Sequence, residues 1–211
     1  MTLRFAMLWK KSCVNFFIIV FSFSIPHSVL ADEEIPVYGH VPDFMLTERS
    51  GKEVKLADLK ENVWIADFIF TRCQGQCPML SGRMAVLQGK LNAPQIKLVS
   101  FSVDPEFDTP KILSEYATRY HAQKDKWLFL TGSKTEMWNL ITDGFKLGVD
   151  QASPEDLKAG AEPVMHTNRF VLVDQEGNIR GYYDSSDSQE MDRLIKNVSS
   201  LASQSKQNVM N

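Results

Sequence analysis

Val63-Trp64-Ile65-Ala66-Asp67-Phe68-Ile69-Phe70 runs directly into Thr71-Arg72-Cys73-Gln74-Gly75-Gln76-Cys77-Pro78-Met79-Leu80. The first stretch is almost wholly apolar and rich in β-branched and aromatic side chains, the pattern of a central strand covered on both faces. The second turns helical, because Leu80, Met84 and Leu87 recur at helix spacing from Cys77 to about Leu91. Two cysteines therefore sit where a buried strand feeds a helix. Side chains at that separation meet across one helical turn, or across a loop entering one, so two sulfurs can share a disulfide or a single ion. A helix N-terminus also favours the thiolate, which is both nucleophile and ligand. Spacing alone leaves a structural pair, a redox pair and a metal pair open.

Outward from this junction, strands and helices alternate. Residues 96–103 read as a second buried strand, and Asp108-Thr109-Pro110 opens a helix to about Tyr120, with Asp or Thr capping and Pro in the first turn. Trp127-Leu128-Phe129-Leu130 is a short strand and 134–145 a helix; 146–164 has little periodicity and reads as a long exposed loop. Residues 169–173 and 179–183 form a hairpin around Asp174-Gln175-Glu176-Gly177-Asn178, and a last helix covers about 188–202. On the N-terminal side, 44–47 and 52–56 flank a turn at Arg49-Ser50-Gly51, a second hairpin, preceded by an extended polar lead-in over 32–41. No repeat and no linker divides the body. The expectation is an α/β fold: a mixed central sheet flanked by helices on both faces, with an N-terminal β-hairpin. Cysteines at the end of its central strand make the layout thioredoxin-like.

The chain has 211 residues, 44% of them hydrophobic, and three cysteines. That suits one packed core and excludes collagen-like, low-complexity and disulfide-stapled classes. The formal charge of -3 offers no basic excess for phosphate, so nucleic acid is not an expected partner. Arg4, Lys10 and Lys11 precede an apolar stretch from Cys13 to Ile25, and Val29-Leu30-Ala31 ends in a small residue. This is the pattern of a secretory signal over residues 1–31, with an uncleaved N-terminal membrane anchor as the alternative. The apolar stretch falls short of the roughly 20 residues that span a bilayer, and the basic residues ahead of it place the body on the exported side. Residues 32–211 then form one exported domain, periplasmic or on the outer face of the inner membrane in a bacterium. Without the leader the body carries 20 basic and 26 acidic residues and keeps Cys73 and Cys77 alone of the cysteines.

Several segments, in order, resemble the Sco family (Sco/SenC/PrrC type). They are the apolar strand into Phe-Thr-x-Cys-x-x-x-Cys-Pro at 70–78, Val103-Asp104-Pro105-Glu106-Phe107-Asp108-Thr109-Pro110, Leu130-Thr131-Gly132, and His166 leading into Phe170-Val171-Leu172-Val173-Asp174-Gln175-Glu176-Gly177. The resemblance implies an exported thioredoxin-like copper protein that delivers copper for cytochrome c oxidase assembly. It maps two thiolate ligands onto Cys73 and Cys77 and an imidazole ligand onto His166. Such a set suits Cu(I), and Cu(II) with an added ligand, better than Mg or Ca. The implied partner is the apo copper subunit of the oxidase or another copper or thiol protein. Gln74-Gly75 replaces the family's common Pro-Asp, and Met165 its common Asp before the histidine; neither removes a proposed ligand.

The rival reading is an exported thiol–disulfide oxidoreductase, with Cys73 and Cys77 as its catalytic redox pair and His166 tuning the thiolate. Asp67, six residues before Cys73, resembles the buried acid of thioredoxins that exchanges protons with a redox cysteine; otherwise it is a strand residue with a polar partner. Arg72 either favours the Cys73 thiolate or points outward. Met79, Met84 and Met137 are spaced as core residues, and Asp104 and Asp108 as turn and cap residues. A Met165 thioether ligand, a structural Cys2His2 zinc site drawing on the mature histidines His40, His121 and His166, and a peroxidase-like thiol are weaker alternatives, the last because Thr71 is only two residues before Cys73.

Overall fold

A computed structural model describes residues 34–147 and 167–209, the latter range ending within the last helix. The leader, most of the 146–164 loop, Met165 and His166 lie outside the described residues. Eight strands form one sheet: β1 Gly39–His40, β2 Met45–Glu48, β3 Glu53–Lys55, β4 Val63–Ile69, β5 Ile96–Ser102, β6 Trp127–Thr131, β7 Arg169–Val173 and β8 Asn178–Asp184, in the order β1-β8-β7-β4-β5-β6-β2-β3. The helices are α1 Leu56–Leu59, α2 Gln76–Lys90, α3 Pro110–Arg119, α4 Lys134–Asn139 and α5 Ser188–Val209. Among the described residues no helix is long and apolar enough to cross a membrane.

The apolar run opening at Val63 is the fully buried β4, parallel to β5 and antiparallel to β7. Alternation sorts its side chains. Ile65 and Ile69 face a layer made by Leu80 and Met84 of α2, Tyr116 of α3 and Leu194 and Val198 of α5. Trp64, Ala66 and Phe68 face Leu56, Met137, Leu140 and Phe145 on the other side. Helices thus cover both faces, as the alternating pattern requires. The outermost strands, β1 and β3, have two and three residues, which limits edge-to-edge pairing.

Both hairpins form where their turn chemistry places them. Gly51 has φ +85° and Gly177 φ +90°, a region that an L side chain enters at a cost. Asp174 accepts hydrogen bonds from the backbone N–H of Glu176 (3.1 Å) and Asn178 (2.8 Å), closing the second turn.

Three local features depart from the sequence expectation. The lead-in is drawn onto the sheet edge, where Gly39 and His40 pair with Ile179 and Asn178. The first hairpin's second strand stops at Lys55 and the chain turns into α1, which buries Leu56 and Leu59. The helix over 134–145 divides into α4 and a π-helical turn, Leu140–Gly144. The wider turn lets Leu140, Ile141 and Phe145 all reach the core while Gly144 lies against Pro42, where a Cβ would come within 2.8 Å of Cδ.

Candidate metal centre

The site grows from the end of β4. The Thr71 hydroxyl donates to Asp108 Oδ1 (2.5 Å) and its N–H to Oδ2 (3.2 Å), while the Ser102 hydroxyl donates to Oδ2 (2.7 Å). Asp108 is fully buried, so these bonds pin the start of the cysteine loop to the connection between β5 and α3. Burial raises the Asp108 carboxyl above its ordinary range, against the pull of its Thr71 and Ser102 donors. One residue on, Arg72 Nε lies 2.6 Å from Asp104 Oδ2 and its guanidinium 5.1 Å from the centre of the Phe107 ring. The cation beside Cys73 is therefore held by a carboxylate and an aromatic face.

Cys73 and Cys77 are 8% and 4% exposed and not joined by a disulfide. Gly75 occupies the N-cap position of α2 and gives the helix no side-chain cap. The cap is sulfur instead: the Cys77 N–H donates to Cys73 Sγ at 3.5 Å. One free donor of the first turn is satisfied this way, and the helix dipole adds to the attraction for negative charge on that sulfur. The Cys77 thiol is pushed well up, first by burial, with further contributions from Cys73 and Asp67; a hydrogen bond from the Phe70 backbone opposes the shift. A Cβ at Gly75 would meet nothing within 4 Å, so crowding does not impose glycine there.

Asp67 lies on the β4 face that α2 covers, fully buried. The Ser100 hydroxyl donates to its Oδ1 at 2.5 Å, and Trp127 Nε1 donates to Ser100 Oγ at 2.9 Å. Desolvation raises the carboxyl to about 7, and the Ser100 bond partly offsets that rise.

The structure brings Cys73 and Cys77 together at the opening of α2, while the buried Asp67 of β4 acts on Cys77 through its charge. Among the described residues, no three His, Cys, Asp or Glu side chains stand together as a metal-holding group, so neither His40 nor His121 joins the cysteines. His40 Nε2 lies 3.0 Å from the Glu176 carbonyl instead.

Two expectations are corrected. Met84 and Met137 are core residues, but Met79 is 63% exposed: Cys77, Leu80 and Met84 take the inner face of α2, and Met79 falls on the outer one. Asp108 does not cap α3; Thr109 does, accepting the Ile112 N–H, while Asp108 serves the cysteine loop. Ser100, Ser102 and Trp127 join the site without a place in the sequence motifs. For the two serines the signal is their strand spacing within the mostly apolar run 96–103.

A cysteine pair, Cys-x3-Cys, at the start of the helix that follows the central strand of a mixed sheet defines a thioredoxin-like protein. The SCO1/SenC family model matches residues 33–203. The SCO1 protein homolog of Bacillus subtilis (strain 168) is 38% identical over 170 residues, covering 79% of this chain and 85% of that protein. The chain belongs to the SCO1/SenC family. Among solved structures, BsSco superposes with a TM-score of 0.67 at 36% identity, over 80% of this chain and 96% of that one. That structure identified a disulfide switch in a member of the Sco family of cytochrome c oxidase assembly proteins. ScoI of Bradyrhizobium japonicum, solved with copper bound, shares the fold with a TM-score of 0.62 at 22% identity, over 77% of this chain and 99% of that one.

Proposed function

We propose that this chain is an exported copper metallochaperone that binds copper through Cys73, Cys77 and His166 and delivers it for cytochrome c oxidase assembly. The observation that carries this reading is the sulfur pair at the opening of α2, with Cys73 Sγ accepting the Cys77 N–H. Two soft thiolates fit Cu(I) and, completed by an imidazole, accommodate Cu(II). Thr71, locked by Asp108, fixes where the loop begins, and α2 fixes Cys77, so the sulfurs are held by two separate elements. Copper is cargo here, and its uptake displaces thiol protons. The recipient is the apo copper subunit of the oxidase or another copper or thiol protein. Residues 1–31 act as the export signal or a retained anchor ahead of the domain 32–211, which N-terminal sequencing of the mature protein tests.

Titrating the reduced, metal-free chain with Cu(I) and Cu(II) tests the ligand set. One copper binds per chain, and Cys73→Ser, Cys77→Ser or His166→Ala each abolishes tight binding. Undiminished affinity in the His166→Ala protein removes the imidazole from the site.

A second reading, thiol–disulfide exchange with a partner protein, is favoured by the buried acid Asp67, whose charge acts on Cys77. Copper-free turnover of a disulfide substrate that survives His166→Ala but not either cysteine change identifies that activity.

A further inference from the structure

Where α4 leaves the end of β6, a groove of about 610 Å³ separates it from the segment that leads into β2. The two walls close on one another at a pair of glycines. A Cβ on Gly144 would come within 2.8 Å of Pro42 Cδ, and one on Gly132 within 2.5 Å of Leu46 Cδ2. The floor is apolar: Leu46 and Leu140 are buried, and Phe44 meets Phe101 edge-on with ring centres 5.9 Å apart. Met45 lines the groove while 51% exposed.

The rim is acidic. Glu136, Asn139 and Asp143 recur at helix spacing along α4 and its π-helical turn, and Asp43 belongs to the other wall. Ser133 pins Glu136 through the helix cap. Asp43 and Asp143 have no hydrogen-bond or ion-pair partner among the described residues, and no lysine, arginine or histidine among them lines the groove. The surface therefore combines an apolar base with charge of a single sign. Its wall includes a π-helical turn, a form found frequently at functional sites. Thr47 pairs with Thr131, so Leu46 lies where β6 finishes. β4 and β5 run parallel to β6 and finish at that same end of the sheet, where the cysteine loop begins.

We propose that this groove docks a partner protein through a short segment in which a large apolar side chain is flanked by lysine or arginine. The charge of the occupant follows from complementarity; the same rim repels an acidic segment or an anionic membrane. Residues 148–166 carry Asp150, Glu155, Asp156 and Glu162 against Lys158 alone, so this chain is a poor match for its own groove. A second copy is no better, since the body has 20 basic and 26 acidic residues. The use of the groove in copper delivery rests on the function proposed above, because a partner held here reaches the cysteine end of the sheet. The docking itself needs no metal.

Fluorescence anisotropy on the reduced, metal-free full chain tests the docking with three labelled peptides. One has Leu-Trp-Leu between paired lysines, the second glutamates in place of the lysines, and the third glycines in place of the apolar three. The lysine peptide binds roughly tenfold or more tighter than either of the others and weakens as salt rises. Asp43→Lys combined with Asp143→Lys weakens it about tenfold or more and turns the preference toward the glutamate peptide, while Met45→Ser weakens it about threefold. Asp43→Asn combined with Asp143→Asn gives an intermediate loss, and decides the matter where urea unfolding shows that the reversal disturbs the fold. Glu115→Lys combined with Asp192→Lys makes the same change in net charge on exposed positions of α3 and α5 and leaves the affinity within about twofold of the parent.

An equal loss in that α3 and α5 variant reduces the effect to net charge and overturns the groove. So does a reversal variant that binds as the parent does, or a parent that prefers no peptide. Self-association in sedimentation that the reversal abolishes makes the occupant a second copy and overturns the partner. Copper titration of the reversal variant keeps the two proposals apart: it still takes one copper where the proposed ligand set holds, whether or not the peptide binds.

Discussion

Replacing Asp67 with Asn should make the protein more stable at neutral pH and leave no such gain in acid. The side chain is fully enclosed, and its carboxyl rises from 3.8 to about 7 because burial penalises the charged form. A shift of that size corresponds to about 4 kcal/mol. The sign follows from proton binding. The folded state holds the proton more tightly than the unfolded chain, so the contribution is complete below the unfolded value, declines as pH rises and is gone once pH passes about 7. Asparagine never ionises and escapes that decline. It keeps an oxygen to accept the Ser100 hydroxyl, but its buried amide costs about 1–3 kcal/mol. The charge effect is the larger, leaving a net gain of about 2 kcal/mol above neutrality. Urea unfolding of the reduced, metal-free full chain, with parent and variant compared at each pH, isolates the contribution because other titrating groups cancel. A stability difference that does not change from acid to neutral pH, or a variant weaker than the parent at pH 8 and above, refutes the reasoning.

Asp108→Ala leaves the Thr71 N–H, the Thr71 hydroxyl and the Ser102 hydroxyl without their acceptor. A loss of about 3–5 kcal/mol in denaturant unfolding is expected, with faster alkylation of Cys73 as its loop comes loose. Lys126 Nζ donates to the carbonyls of Leu91 (2.5 Å), Ala93 (2.9 Å) and Ile96 (2.7 Å), just past the end of α2. Lys126→Met should cost about 1–3 kcal/mol, read from the unfolding midpoint, and leave copper stoichiometry at one.

The parts of this molecule legible in its sequence are those governed by neighbours along the chain. A continuous apolar run located β4 and helical spacing located α2, and Gly51 and Gly177 marked the turns whose backbone they occupy. The cysteine pair could be read for the same reason, since one turn of backbone sets its spacing. What escaped notice depends on register between distant strands. Ser100 reaches Asp67 only because β5 lies parallel to β4 with Asp67 opposite Ser100, a pairing with no trace in either segment alone. Asp108 has the spacing of a helix cap, yet Thr71 claims it from the end of the neighbouring strand. Met79 was misplaced for a local reason: α2 begins at Gln76, and the direction of its inner face is set by Cys77, Leu80 and Met84.

The missing side-chain cap of α2 has a mechanical consequence. Because Cys73 Sγ closes the helix start, the sulfur proposed as a copper ligand is also a fastener of the backbone. Any new bond at that atom pulls on the Cys77 amide, and the tension passes along α2 into the layer over β4. On the proposed ligand set, copper loading would alter the tightness of one helical turn, which amide-proton exchange at Cys77 reads without touching the sulfur.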